Sequence, residues 1–209
     1  MARGQSTLYI DVSDLQKVVD DMKLVLSEEG AKRMLRDTIS NTGRKVKSII
    51  GQEVPKKYEA KRNWVTSQVG KPQNGGAGDL SAIIPINGVR GIDGGRFPAT
   101  GGTSWAHPSS GGKAARRERR IRVKILKGKA NALPEALPHQ GGQPPFRNVS
   151  SKLGSVVFTR KTNKPYPIAR VAGLSVPQMP MNKSKEEITK DIYDYMEKEL
   201  ERNFARMLK

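Results

Sequence analysis

Residues 156–209 limit what this chain can fold into more than any other stretch, because strand, turn and helix signals follow one another there without filler. Val156, Val157 and Phe158 form a β-prone run, and the turn chemistry of Thr162, Asn163, Lys164 and Pro165 lets Ile168 to Val171 return beside it as a hairpin. Pro177 and Pro180 then hold the backbone extended or turning, and Ser184 with Glu187 has the spacing of a helix-initiating capping box. Beyond it, apolar residues recur at helical spacing, Tyr195 and Leu208 among them, as one stripe, with Glu197, Lys198, Glu201 and Arg202 elsewhere. The spacing predicts a terminal helix whose face, Ile188, Ile192, Met196, Leu200, Phe204 and Met207, docks on another element.

The run Pro167-Ile168-Ala169-Arg170-Val171-Ala172-Gly173-Leu174-Ser175-Val176-Pro177-Gln178-Met179, followed by a charged helix, resembles the end of the minor tail protein Z family of tailed bacteriophages and prophages. In that family a similar turn joins the last strand to the last helix. The motif carries no chemistry of its own, so the resemblance points to a lineage rather than to an active site. It implies a virion protein, assembled in the host cytoplasm, that completes the head-proximal end of the tail and helps join tail to head. It also implies a homo-oligomeric, hexameric ring matched to the sixfold tail tube. The partners it implies are a tail terminator or tail tube, head-tail connector proteins and, by non-specific contact, genome DNA.

Composition is compatible with such a protein without naming it. With 35% hydrophobic and 5% aromatic residues in 209, the chain can fill one modest core, and part of it must lie outside that core. Cysteine is absent, which excludes disulfide frameworks and thiolate zinc sites. No apolar run is long enough for a membrane span, so no membrane partner is expected. The net charge of +18 is unevenly placed: nine Lys or Arg face one acid, Glu118, between Lys113 and Lys129, whereas residues 184–209 hold six basic and seven acidic side chains. A localised basic surface attracts DNA, RNA or an acidic protein, although a like-charge block can also be simply solvated.

Near the N-terminus, Thr7 to Val12 alternates as a short strand. Ser13 and Gln16 then begin a helical stripe through Leu15, Val18, Val19, Met22 and Leu26 that stops near Gly30. A second helix is predicted from Ala31 to Ile50, continuous through Gly43 and ended by Gly51 and Pro55. A third, polar helix is predicted over Lys56 to Val69, contacting the protein through Tyr58, Trp64, Val65 and Gln68. Its basic face of Lys56, Lys57, Lys61 and Arg62 suits either solvent or a phosphate backbone.

Twelve glycines between Gly70 and Gly112 preclude regular packing over most of that segment. Leu80 to Val89 is apolar enough for a strand, with Pro85 placing it at a sheet edge or breaking it. Phe97 and Trp105 are the large apolar side chains of the long loop that follows, and are candidate subunit-interface anchors or base-stacking groups. Arg120 to Ile125 alternates strictly, with Ile121, Val123 and Ile125 on one face and cations on the other. The candidate DNA-facing or partner-facing basic strand thus comprises Arg116, Arg117, Arg119, Arg120, Arg122, Lys124 and Lys127. Residues 130–146 return to loop composition.

Catalytic signals are missing. Neither a phosphate-binding glycine motif nor G-x-S-x-G occurs, and His107 and His139 lie in separate irregular segments without neighbouring carboxylates. The sequence therefore predicts no catalytic, cofactor-binding or metal residues and no enzyme. It predicts an α+β fold: a small antiparallel sheet packed against two N-terminal helices and a C-terminal helix, in one domain over residues 1–209, with 70–112 and 129–147 as extended loop insertions. The expected function is that of a structural virion protein. A non-sequence-specific nucleic-acid-binding protein using residues 116–129 is the alternative, which no helix-turn-helix or aromatic ribonucleoprotein strand supports.

Overall fold

The computed structural model describes residues 3–11, 27–74, 81–89, 97–100, 121–129, 131–132, 145–150, 154–160, 162, 166–171 and 173–208. The fold is α+β. Strands β1 (Arg3–Asp11), β2 (Gln73–Asn74) and β3 (Ser81–Val89) form one sheet in the order β1-β3-β2. A second sheet comprises β4 (Ala99–Thr100), β5 (Arg122–Val123) and β6 (Asn131–Ala132), and a third β7 (Phe146–Ser150), β8 (Gly154–Arg160) and β9 (Ile168–Arg170), both in chain order. The helices are α1 (Glu28–Lys57), α2 (Arg62–Gln68), α3 (Gln178–Met181) and α4 (Lys185–Met207). The predicted helix over residues 13–26 lies outside the described residues.

The chain divides into two compact units. A helical unit draws on Arg3–Val54, Val65–Gly88 and Val176–Lys209, and a strand-rich unit draws on Pro55–Trp64 and Val89–Ser175.

In the helical unit, α1 buries Met34, Leu35, Ile39, Val46, Ile49, Ile50 and Val54 along one stripe, as its periodicity predicts. It does not stop at Gly51 or Pro55, as the sequence suggested, but continues to Lys57. Gly51, Glu53 and Val54 are all buried, and packing outweighs the weak helix propensity of one glycine. Gly43 is tolerated mid-helix for a steric reason: a Cβ there would lie 3.0 Å from Cβ of Pro72. α4 runs antiparallel to α1, as their paired contacts show. Asn203 donates to Thr38 at 3.0 Å, Asn41 donates to Glu199 at 2.7 Å, and Lys45 lies over the Tyr195 ring at 5.5 Å.

β3 alternates as a half-buried strand should, with Ala82, Ile84 and Ile86 inward and Ile83 and Asn87 outward. Contrary to expectation, Pro85 neither breaks this strand nor places it at the edge, since β3 is the middle strand. The carbonyl of Pro85 accepts the Gly70 N–H at 2.8 Å, so its missing donor points to the same side. On that side pairing is already discontinuous, limited to β2 and an isolated bridge between Val69 and Ile86.

In the strand-rich unit, the predicted hairpin forms: β8 pairs antiparallel with β9, and Phe158 lies opposite Arg170. Its other edge is β7, whose first two residues, Phe146 and Arg147, fall in the predicted loop of 129–147. Phe146 stacks on Phe158 directly across the ladder, ring centroids 5.9 Å apart, and Arg160 covers Phe146 at 5.0 Å.

Candidate functional site

The basic segment that the sequence singled out is placed in part. Ile121 and Val123 are buried while Arg122 and Lys124 are exposed, so the predicted alternation of apolar and cationic faces holds. Its regular strand is shorter than predicted, Arg122–Val123, because β4 and β6 are themselves two residues long. Arg116, Arg117, Arg119 and Arg120 lie outside the described residues. Lys127 is exposed in the turn that follows, where the Lys129 N–H donates to the Leu126 carbonyl at 3.2 Å. Gly128 closes that turn at φ +72°, a left-handed conformation that costs glycine little.

Beyond Val123 the segment pairs with a partner that the sequence gave no means of predicting. Tyr58 and Leu126 form an isolated antiparallel bridge, flanked by Glu59 N–H to Ile125 carbonyl at 2.8 Å and Lys127 N–H to Lys57 carbonyl at 3.0 Å. The predicted third helix over Lys56 to Val69 is accordingly replaced. Lys56 and Lys57 complete α1, Tyr58 enters the bridge and is 2% exposed, and only Arg62–Gln68 forms a separate helix. Burial of Tyr58 at a position that breaks the helix is the physical reason. Lys56, Lys57, Lys61 and Arg62 are all exposed, as are Arg122, Lys124, Lys127 and Lys129. One bridge thus brings together two basic segments that are far apart in sequence.

Phe97 is not a subunit anchor. Its side chain is 0% exposed and meets Trp64 edge-to-face, centroids 5.6 Å apart at 85°, within the strand-rich unit. A ring enclosed by its own chain has no surface to offer a neighbour. Trp105 lies outside the described residues.

The terminal helix matches its predicted docking face over most of its length. Ile188, Ile192, Met196 and Leu200 are buried and Phe204 is half-buried. Met207, at 36%, is exposed and does not belong to that face, because the helix has reached its last turn there. The buried stripe instead includes two polar residues, Glu199 and Asn203, at helical spacing from Met196 and Leu200. That spacing was the available signal, and their polarity hid it. The capping-box bond is not made either: Ser184 is the N-cap residue, but its hydroxyl is buried without a partner.

Between β9 and α4 the chain runs through a buried turn. Ser175, Val176 and Met179 are at most 1% exposed. Of the extended and turning conformations expected at Pro177 and Pro180, the chain turns at Pro177, and the short helix α3 that begins immediately after it includes Pro180. Both positions fall where a helix's first N–H groups have no internal acceptor, so proline loses little. Gly88 gives this turn its room: a Cβ on residue 88 would lie 2.4 Å from Cδ of Pro177.

Among the described residues, no group of three His, Cys, Asp or Glu side chains could hold a metal ion, and no helix is long and apolar enough to cross a membrane. His107 and His139 lie outside the described residues. No family model, curated protein or solved structure matches the chain.

Proposed function

We propose that this chain is a structural, non-catalytic virion protein of a tailed phage, which completes the head-proximal end of the tail and acts there as an oligomeric ring. The observation that carries the reading is the turn from Gly173 to Met179, in which Ser175, Val176, Pro177 and Met179 are buried. It joins the β8–β9 hairpin to the α3–α4 end of the chain, in the order strand, turn, helix expected from the resemblance to minor tail protein Z. Of the residues that carry that resemblance, Val171, Ser175, Val176, Pro177 and Met179 are buried. A motif whose residues serve packing is consistent with an assembly component and demands no reaction.

Immunogold labelling of purified phage particles, with antibody to an appended epitope, tests the reading. Label at the head-to-tail junction is the expected result. Particles of intact morphology that carry no label, even after gentle disruption, would remove this protein from the virion.

A further inference from the structure

We infer that residues 56–62 and 122–129 together form one composite surface for the phosphate backbone of nucleic acid, read without regard to base sequence. The two segments meet at the Tyr58–Leu126 bridge, with backbone hydrogen bonds of 2.8 and 3.0 Å on either side. The register of that bridge sets Lys57 opposite Lys127. Glu59 is the one acidic residue in the two segments, against eight cationic side chains, all of them exposed.

The character of the surface favours nucleic acid over an acidic protein. Protein interfaces gather their binding energy on aromatic and aliphatic anchors at the centre of the patch. None of the exposed large apolar side chains described, Ile83, Tyr166, Ile168, Tyr193, Met207 and Leu208, belongs to either segment. Tyr58 is buried in the bridge and offers no ring for base stacking, and Trp64, just beyond the first segment, is half-buried with its ring perpendicular to that of Phe97. What remains is dense positive charge on two lysine-rich segments joined by one bridge, which binds phosphates by releasing their counterions. This inference stands apart from the tail assignment. Particles without label would leave it intact, and its failure would leave the tail assignment standing.

Fluorescence anisotropy of the full chain with labelled duplex DNA of two unrelated sequences, across a salt series, tests it. Equal affinity for both sequences is expected, with a steep fall as salt rises. Each phosphate contact contributes about 0.9 to the slope of log K against log salt. Lys61→Gln with Arg62→Gln, and Lys124→Gln with Lys127→Gln, are each expected to reduce the slope by about 2, and the four together by roughly 4. Lys183→Gln, Lys185→Gln, Lys190→Gln and Lys198→Gln remove the same charge from exposed positions in the helical unit, and are expected to change the slope by less than about 1. Lysine acetylation footprinting of the unaltered protein gives a second readout, with DNA protecting Lys61, Lys124 and Lys127. The inference is overturned if only one segment contributes, if the control set weakens binding as much as the four substitutions, or if the footprint does not change. Failure to bind DNA, with polyglutamate captured through the same lysines, would assign the surface to an acidic protein instead.

Discussion

Asn41→Ala should destabilise the helical unit out of proportion to the few atoms it removes. Glu199 is 6% exposed, and its Oε1 receives the Asn41 amide at 2.7 Å, while Oε2 has Arg202 at 3.5 Å. Removing the amide leaves a buried carboxylate oxygen without that donor. Hydrogen bonds to charged groups contribute about 1.5–3 kcal/mol, so a loss of about 2 kcal/mol is expected. With a urea dependence of about 2 kcal/mol per molar, the unfolding midpoint should fall by about 1 M. Far-ultraviolet circular dichroism is the suitable probe, because most helical residues belong to this unit. Replacing both partners, Asn41→Leu with Glu199→Leu, removes the polar atoms altogether and should return stability to within about 1 kcal/mol of the original protein. A midpoint unmoved by Asn41→Ala would refute the reasoning, since Glu199 would then be solvated or turned away from α1.

Other substitutions probe separate parts of the structure. Gly88→Ala places a Cβ 2.4 Å from the Pro177 ring and should cost about 1–3 kcal/mol in the same urea assay. Phe97→Ala empties a fully buried site and removes the edge-to-face contact with Trp64, for an expected loss of about 3–5 kcal/mol, read from the tryptophan emission of a Trp105→Phe background during unfolding. Truncation after Met181 strips α4 from the helical unit and should yield an aggregating product, detectable by light scattering; a stable, monodisperse fragment would undo the docking role of α4.

Elements with strong local periodicity were legible in the sequence. The stripe of α1, the alternation of Ile121 to Lys124 and the return of β9 beside β8 each follow from residues close together in the chain. What could not be read was decided by distant partners. Pro85 sits in a central strand because of where its missing N–H points, and α1 outlasts Gly51 because its last turns are buried. Phe97 looked like a loop residue because nothing nearby revealed Trp64 as its cover. The candidate basic surface was half visible: both cationic segments could be recognised, but not the bridge at Tyr58 that joins them. Sequence patterns record each segment's own preferences, and an isolated bridge leaves almost no pattern in either strand.

The division of the chain among its units has a consequence for synthesis. The helical unit takes α1 from early in the chain and α4 from its far end, with almost all of the strand-rich unit translated between them. At ribosomal speeds of about 5–20 residues per second, the buried stripe of α1 waits on the order of ten seconds for its partner helix to be made. During that interval Thr38 and Asn41 lack Asn203 and Glu199, the side chains they bond in the folded unit, and Lys45 lacks the Tyr195 ring. Nascent chains of this protein therefore hold α1 without these partners until α4 emerges, and are natural clients for a chaperone that holds incomplete helical units.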